Sequence, residues 1–387
     1  PPSRRIVHPV VPGAGIFGAT APLELRRRGH GVTLVDPGPL PHPDAASTDI
    51  SKAIRMDYGG DAFYVELMER AFEGWDTWNR AWGKPLYHED GFLILAAETM
   101  RAGEFEHDSF SLLRERGHAV KRMGGSAVRE RFPAWSGVYP DGYFNPRAGW
   151  AESGAVVGQL LAWARAEGVA FVEASVRGFG DHALTLGSGE TLRADGVVVA
   201  AGAWTSHLLP ELSGFMRPIG QPVFHFLPAD PAPFQAPRFS VWAADIGNSG
   251  WYGFPALPDG RVKVANHGPG GLVDPPAPRE VRADDEPRFR EFLKRALPAL
   301  ADAPVVGTRL CLYCDTWDGD FLVDRHPERP GMVVATGGSG HAFKFAPVLG
   351  GLVADVAEES APLARFAWRE VGVPRSEDAR FAGPAEE

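Results

Sequence analysis

The chain has 387 residues, of which 44% are hydrophobic and 23% are charged, and its formal net charge is -10. This length suits two or three domains with a large core, and the negative charge argues against nucleic acid and anionic membranes as partners. Two cysteines in so long a chain exclude a disulfide framework, and since no signal peptide or transmembrane run is visible we expect a cytoplasmic protein.

The first predicted unit is a strand, a glycine-rich turn, a helix and a second strand. An apolar run from Ile6 to Val11 leads into GAGIFG at Gly13 to Gly18, and the second strand ends at Asp36. Such glycines admit a pyrophosphate and close helix–strand packing, and an acid 23 residues after Gly13 (36 − 13) suits a ribose hydroxyl. A chance glycine-rich turn is the alternative, but the position of Asp36 disfavours it. The pattern therefore predicts a dinucleotide-binding unit.

Three prolines oppose this assignment. Pro9 and Pro12 lie within or beside the predicted central strand, and Pro22 lies inside the predicted helix. Proline removes a hydrogen-bond donor from a sheet and costs roughly 3 kcal/mol in a helix interior. The sequence offers no functional reason for them.

A polar segment from Ser47 to Tyr58 follows a proline-rich loop. If this segment is helical, Lys52 and Arg55 share one face, because they are three residues apart. A solvated basic face is the alternative. Because the segment directly follows the nucleotide unit, we expect it to lie near the cofactor.

The middle of the chain is predicted to alternate between helices and strands. Helices are expected from Phe63 to Trp82, Met100 to Arg116 and Gly154 to Glu167, and strands from Gly91 to Leu95 and Val197 to Trp204. The last strand ends in small residues, which suits a backbone that passes close to a cofactor. From Arg217 to Leu310 the alternation is typical of an antiparallel sheet. On a strand Lys263 and His267 point to one face, and burial there would lower the pKa of Lys263.

The stretch from Cys311 to Phe345 contains a second glycine-rich turn. A predicted strand, Met332 to Ala335, runs into Thr336 to Gly340, and a helix is expected from Pro347 to Val356. Such a turn presents backbone N–H groups to an electron-rich ligand, and Lys344 adds a positive charge. Both ends of the chain are therefore predicted to bind one cofactor.

Four segments carry a family resemblance. They are GAGIFG with Asp36, SKAIR at Ser51 to Arg55, YGFP followed by Lys263 and His267, and CLY, DFLVDRHP and SGHAFKF after Leu310. Together they resemble the monomeric sarcosine oxidase and fructosyl amino acid oxidase family, FAD-dependent amine oxidases of the D-amino-acid-oxidase-like superfamily. The resemblance implies an α/β fold with a Rossmann-like FAD-binding domain built from residues 1–84, 149–215 and 318–387. An α+β substrate domain with a large, mostly antiparallel sheet is implied for residues 85–148 and 216–317.

The resemblance also implies roles for individual residues. It implies that Cys311, rather than Cys314, bonds covalently to the flavin, with a buried structural cysteine as the alternative. Lys263 is implied to activate oxygen, with a snorkelling lysine as the alternative, and Arg55 and Lys344 are implied to clamp the substrate carboxylate. The other implied catalytic residues are Lys52, Tyr252, His267 and Tyr313. The implied cofactor-binding residues are Gly13, Gly15, Ile16, Phe17, Gly18, Asp36, Ser47, Ser51, Lys52, Ala201, Gly202, Trp204, Cys311, Asp320, Gly338, Gly340, His341, Phe343 and Lys344.

Two departures from the family pattern lie near the substrate. Gly60 stands where sarcosine oxidases carry an acid, and Thr48 replaces a histidine, which puts sarcosine itself in question as the substrate. Lys52 and the run Gly149 to Ala151 favour glycated or bulkier secondary amines.

The implied activity is oxidation of a C–N bond in an N-alkyl or N-glycated amino acid. The imine then hydrolyses, and O₂ is reduced to H₂O₂. We expect a monomer with no metal site. Three alternatives stay open: a NAD-dependent dehydrogenase, a non-catalytic flavin-binding redox module, and a FAD-dependent dehydrogenase that uses another electron acceptor.

Overall fold

A six-stranded sheet forms the nucleotide-binding layer in the computed structural model, which describes residues 8–381 and 383. Its strands, in spatial order, are Leu322–Arg325, Met332–Thr336, Gly196–Val199, Pro9–Pro12, Thr33–Asp36 and Ala170–Glu173. Neighbouring strands are parallel except for the first two, which are antiparallel. Ile6 and Val7, in the predicted first strand, lie outside the described residues.

Four helices cover this sheet through one buried apolar cluster. They are Ile16–Arg27, Ala62–Trp82, Ser153–Ala166 and Ala346–Ala357. The predicted aromatic stripe lies in this core, where Phe72 and Trp75 are almost fully buried. Among the described residues, no helix is both long and apolar enough to cross a membrane.

The three prolines are accommodated in different ways. Pro9 and Pro12 are the first and last residues of a four-residue strand, so they interrupt its ladder least. The carbonyl of Pro12 still accepts a hydrogen bond from the N–H of Ala200 at 3.0 Å. Helix Ile16–Arg27 continues through Pro22, whose side chain is buried.

A nine-stranded sheet forms the second layer. Eight of its strands are, in order, Gly271–Leu272, Met216–Phe226, Val262–Asn266, Trp251–Gly253, Val241–Ala244, Phe92–Ala96, Asp141–Asn145 and Lys121–Arg122. The ninth, Val305–Thr316, pairs antiparallel with Met216–Phe226. Val241–Ala244 and Phe92–Ala96 are parallel, while the other recorded pairs of this sheet are antiparallel. The prediction of a large, mostly antiparallel sheet is confirmed.

Helix Asp285–Ala296 packs on one face of this sheet. Its Phe289, Phe292 and Leu293 are buried against strand residues such as Phe224 and Trp242. The other helices are Phe105–Glu115, Gly125–Arg131, Thr205–Leu208 and Ile246–Ser249. Single 3₁₀ turns span Gly202–Trp204, Pro210–Leu212, Ala232–Phe234, Pro298–Leu300, Ala342–Phe345 and Ala364–Phe366.

Two small sheets complete the fold. One contains Val176–Gly180, Ala183–Leu186 and Thr191–Arg193, and the other contains Lys52–Ile54, Gly149–Ala151 and Tyr87–His88. Residues Lys52–Ile54 form a strand, so the helical face expected from the spacing of Lys52 and Arg55 is wrong. The strand's register, Lys52 with Ala151 and Ile54 with Gly149, depends on a segment about a hundred residues away in sequence. Long-range pairing thus overrides local spacing.

The two large sheets draw on different parts of the chain. The strands of the six-stranded sheet fall within residues 1–84, 149–215 and 318–387. Those of the nine-stranded sheet fall within residues 85–148 and 216–317. The domain boundaries themselves stay a prediction.

Candidate active site

A cavity of about 380 Å³ lies where the parallel strands meet the large sheet. Five of its lining residues stand at the carboxyl ends of parallel strands, namely Pro12, Asp36, Ala174, Ala200 and Thr336. In open α/β sheets, ligands bind in the crevice outside these strand ends. Leu312, Tyr313 and Cys314 line the cavity from strand Val305–Thr316 of the large sheet. Both layers of the fold therefore form the wall of one cavity.

The first glycine-rich turn has the geometry of a dinucleotide site. Gly13 has φ +100°, and a Cβ there would lie 2.5 Å from the carbonyl oxygen of Ala200. A Cβ on Gly18 would lie 1.6 Å from the carbonyl oxygen of Gly13, so both positions require glycine. The N–H of Ala14 donates to Asp36 Oδ2 at 2.8 Å, which fixes the carboxylate at the cavity wall. The positive end of helix Ile16–Arg27 faces the same cavity, so the site fits a pyrophosphate and a ribose.

Gly13→Ala is expected to abolish flavin binding. The new methyl group would collide with backbone at Ala200, and backbone cannot move aside as a flexible side chain can. The absorbance spectrum of the purified variant checks this, with Gly29→Ala as the control. Gly29 also has a positive φ, but nothing lies within 4 Å of a Cβ there. A Gly13→Ala protein that keeps its full yellow colour would contradict the assignment.

Most of the predicted cofactor-binding residues line this cavity. They are Gly13, Gly15, Ile16, Phe17, Asp36, Ser47, Lys52, Ala201, Gly202, Trp204, Gly338, Gly340 and Phe343. The other predicted residues lie outside its lining: Gly18, Ser51, Cys311, Asp320, His341 and Lys344. Asp320 accepts hydrogen bonds from Tyr64 at 2.9 Å and Arg365 at 2.7 Å, so the structure gives no support to a cofactor role for it.

A second cavity of about 60 Å³ adjoins the first and shares lining residues with it. The shared residues are Lys52, Tyr313, Gly340 and Phe343. All residues predicted for catalysis or carboxylate binding line this small cavity: Lys52, Arg55, Tyr252, Lys263, His267, Tyr313 and Lys344. Residues from both layers and from both ends of the sequence thus converge at one place.

Lys344 is held by a chain of buried hydrogen bonds. Its Nζ donates to Tyr58 Oη at 2.9 Å and to the carbonyl of His341 at 3.0 Å. The Tyr58 hydroxyl lies 3.0 Å from His341 Nδ1, and His341 Nε2 lies 2.9 Å from the carbonyl of Gly319. Burial lowers the pKa of His341 to about 3, so the ring is neutral and donates from Nε2. Burial and the charge of Arg55 lower the pKa of Lys344 well below its usual range, and an anion bound beside this side chain would act in the opposite direction.

Lys263 is paired with Asp49, a residue that the sequence reasoning missed. Lys263 Nζ lies 2.6 Å from Asp49 Oδ2 and donates to the carbonyl of Ser51 at 2.6 Å. Burial lowers the pKa of Lys263 to about 8, while the charge of Asp49 acts in the opposite direction. Burial would raise the pKa of Asp49, but Lys263 and His225 hold it well below its usual range. The pair is therefore ionic at neutral pH.

Glu377 was also missed, and it contacts the predicted carboxylate clamp. Its Oε2 lies 3.3 Å from Arg55 Nη2, and its Oε1 lies 2.8 Å from His267 Nε2. Burial would raise the pKa of Glu377, but the surrounding basic groups hold it well below its usual range. Arg55 carries that positive charge, since burial lowers the pKa values of His341 and His267. No motif surrounds Glu377 in the sequence.

The two cysteines have different surroundings. They are three residues apart on strand Val305–Thr316, so they point to opposite faces. Cys311 Sγ lies 3.7 Å from Lys52 Nζ, whereas Cys314 Sγ lies 3.5 Å from Met216 Sδ. Burial raises the pKa of Cys314 to about 11, which keeps that thiol protonated. A lysine side chain thus lies beside Cys311, whereas Cys314 packs against a methionine.

Residues 10–356 match the protein family described as FAD dependent oxidoreductase. The chain belongs to this family. The match spans both sheets and both glycine-rich turns, and the large cavity fits the cofactor in the family's description. The protein is therefore a FAD-dependent oxidoreductase, and the predicted fold and cofactor are confirmed.

The chain is also similar to several proteins named as oxidases. The chain is 29% identical over 365 residues to N-methyl-L-tryptophan oxidase of Salmonella arizonae, covering 91% of this chain and 95% of that protein. It is 28% identical over 361 residues to monomeric sarcosine oxidase of Bacillus sp. (strain B-0618), covering 90% and 91%. Among solved structures, fructosamine oxidase (Amadoriase II) of Aspergillus fumigatus superposes with a TM-score of 0.82 at 26% identity, covering 98% and 94%.

Proposed function

We propose that the protein oxidises secondary amino acids, either N-alkyl or N-glycated, at a C–N bond, with O₂ as the electron acceptor. The observation that carries this proposal is the small cavity, in which Arg55 and Lys344 stand beside the wall shared with the cofactor cavity. A buried guanidinium and a buried lysine amine suit the carboxylate of an amino acid, whose charge favours the protonated form of Lys344. The relatives are named for oxidation of N-methylated or glycated amines, and these names support the same substrate class.

The residues of the small cavity bind and orient the substrate. Arg55 and Lys344 hold the carboxylate, which places the carbon next to nitrogen toward the shared wall. Tyr313, which is buried, and Tyr252, which is partly buried, line the same cavity and limit the access of water. When bound, FAD supplies the redox chemistry, accepting a hydride equivalent from the substrate and passing two electrons to dioxygen. The protein contributes position and electric field.

A substrate panel tests this proposal. N-methylglycine, N-methyl-L-tryptophan and fructosyl-glycine are incubated with the purified holoenzyme, and H₂O₂ is measured. We expect H₂O₂ from at least one of them and none from the matching amine that lacks a carboxylate. If no member of the panel bleaches the yellow colour under anaerobic conditions, the proposal is wrong and a non-catalytic redox module is favoured.

We also propose that the flavin is bonded covalently to Cys311. The support is chemical, since Cys311 lies beside Lys52, which lines the cofactor cavity, and Cys314 packs against Met216. After acid precipitation, we expect the yellow colour to stay with the pellet in the wild type and in Cys314→Ala. In Cys311→Ala the colour should move to the supernatant. If the colour is released only from Cys314→Ala, the covalent bond is to Cys314.

A dehydrogenase with another electron acceptor is the second candidate, and the Asp49–Lys263 contact favours it. A carboxylate 2.6 Å from the ammonium of Lys263 weakens the positive field that would favour reduction of oxygen. This candidate predicts rapid anaerobic reduction by substrate but slow reoxidation in air. Stopped-flow mixing of the reduced enzyme with oxygenated buffer distinguishes the two.

A monomeric, cytoplasmic state is also part of the proposal. The compartment rests on the composition of the chain, whose two cysteines are both free in the structure, and the monomer rests on the name of one relative, monomeric sarcosine oxidase. Size-exclusion chromatography with light scattering tests the monomer directly. A stable dimer would contradict that part and leave the proposed chemistry unaffected.

A further inference from the structure

Residues 371–381, here called the C-terminal segment, run along the surface and insert one side chain into the small cavity. Residues 371–376 are exposed, whereas the side chain of Glu377 is 6% exposed. Farther along, Arg380 makes two hydrogen bonds to Asp315, at 2.6 and 2.9 Å. The segment is thus anchored beyond Glu377, and before it the exposed Arg375 donates a hydrogen bond to Asp320 Oδ2 at 3.2 Å.

Glu377 fills the place that an anionic ligand of Arg55 would take. The carboxylate lies within hydrogen-bond distance of both Arg55 and His267, and all three side chains are buried. Lys344, Arg55, His267 and Glu377 all line the same small cavity. A second carboxylate at Arg55 would be repelled by Glu377 in a site with few mobile water molecules.

The remaining space is too small for the proposed substrates. About 60 Å³ is free in the small cavity, whereas sites for small molecules usually hold roughly 300 Å³ or more. That space accommodates a few water molecules, each of which needs about 10–15 Å³. Withdrawal of the Glu377 side chain would free both volume and the Arg55 guanidinium.

We propose that Glu377 is a built-in occupant of the substrate's carboxylate subsite and that the incoming carboxylate displaces it. This inference rests on the proposed function for the role of Arg55. It makes Glu377 a determinant of specificity, because an amine without a carboxylate has nothing to exchange for Glu377 at Arg55. The C-terminal segment then withdraws from the cavity each time a substrate enters.

The C-terminal segment has few backbone contacts that oppose such a withdrawal. The N–H of Arg375 donates to the carbonyl of Trp317 at 2.8 Å, and the N–H of Phe381 donates to the carbonyl of His267 at 3.0 Å. Regions with exposed backbone and sparse hydrogen bonding open at low free-energy cost. Displacement therefore requires local opening rather than unfolding of a sheet.

Titration of the holoenzyme with acetate tests the proposal without any need for turnover. Acetate is added to the wild type, Glu377→Gln and the control Asp378→Asn, and the change in flavin absorbance reports binding. We expect acetate to bind at least about tenfold more tightly to Glu377→Gln, because one buried charged competitor is removed. Asp378→Asn, which changes a neighbouring acid, should bind acetate as the wild type does. Uncharged acetamide should show no gain in any variant.

Two results would overturn the inference. One is an acetate affinity in Glu377→Gln equal to or weaker than that of the wild type, and the other is an equal gain for acetamide. If Glu377→Gln fails to fold, hydrogen exchange of the wild type replaces it. Acetate should then speed exchange at the N–H groups of Arg375 and Phe381, and unchanged exchange also refutes displacement.

The outcomes also separate this inference from the proposed function. An acetate gain in Glu377→Gln without oxidation of any amine would confirm the displaced occupant and refute the proposed activity. If the enzyme oxidises an amino acid, but Glu377→Gln changes neither the acetate affinity nor the KM, the proposed activity is confirmed and the displaced occupant is refuted.

Discussion

Replacing Arg55 with alanine is expected to raise the KM for a carboxylate-bearing amine by roughly thirtyfold to several thousandfold. Truncating one partner of a buried, hydrogen-bonded charge pair costs about 2–5 kcal/mol, and each 1.4 kcal/mol is a factor of ten in affinity. The Arg55 side chain is 7% exposed, so water cannot replace its contacts with the ligand. Initial rates over a range of substrate concentrations give the value.

The same substitution also removes the partner of Glu377, which complicates its interpretation. A buried carboxylate without Arg55 would shift toward protonation and would no longer compete in the same way. The KM values with Arg55 and with Ala at position 55 should therefore also be compared in the Glu377→Gln background, since the effects of substitutions at residues in contact are not additive. Arg55 also lies over the ring of Tyr58, 4.8 Å from its centroid, so thermal unfolding must show that the variant is folded.

A charge-preserving variant sharpens the test. Arg55→Lys keeps the positive charge but loses the planar fork, so its KM should lie between those of the wild type and Arg55→Ala. A KM within twofold of the wild type for Arg55→Ala, in both backgrounds, would remove Arg55 from the carboxylate site. A fall in kcat with no change in KM would instead indicate a role in the transition state.

The glycine-rich turn could be predicted because each of its residues meets a local steric demand. Gly13 and Gly18 lie against backbone that allows no Cβ, and Asp36 follows directly from the end of the second strand. Residues close in sequence with fixed spacing carry such information by themselves. The parallel sheet and its cavity then follow from the strand, turn and helix pattern.

The counter-charges of the site could not be predicted in this way. Glu377 meets His267 across 110 residues of sequence, and Asp49 meets Lys263 across more than two hundred. Asp49 lies in the polar segment expected near the cofactor, and Glu377 lies in no recognisable pattern, but the partner of each acid depends on how distant segments fold together. The one available signal was charge balance, since several buried cations require anions nearby.

The strand Lys52–Ile54 shows the same limit in backbone structure. Spacing of cations at Lys52 and Arg55 favoured a helix, but the segment pairs with Gly149–Ala151. Gly149 also lies close to the third strand of this sheet, since a Cβ there would lie 1.9 Å from the carbonyl oxygen of His88. The structure of Lys52–Ile54 therefore depends on a partner strand that is remote in sequence.

Replacing Lys263 with methionine is expected to slow reoxidation of the reduced enzyme by oxygen about 10²–10³-fold. A preorganised charge at a site of developing negative charge typically contributes this much. The Lys263 side chain is 2% exposed, so solvent cannot supply the missing charge. Stopped-flow mixing of the substrate-reduced variant with oxygenated buffer measures the rate constant, while anaerobic reduction by substrate should change far less.

The pH dependence of the same step gives an independent check. Burial lowers the pKa of Lys263 to about 8, so its positive charge is present below that pH and is lost as the pH rises through it. The oxygen rate constant of the wild type should therefore fall above about pH 8, and Lys263→Met should show no such fall. A fall that persists in Lys263→Met would assign the titration to another group.

Asp49→Asn tests the charge of Lys263 without removing the lysine side chain. The Asp49 carboxylate raises the pKa of Lys263 against the effect of burial, so its removal should move the fall in rate to lower pH. Below that new pKa the ammonium would have no buried carboxylate beside it, and the oxygen rate constant should exceed that of the wild type. An oxidase tuned by Lys263 requires both effects together. A variant that shows neither effect would leave Asp49 as a structural partner of Lys263 and would remove the electrostatic argument for the dehydrogenase.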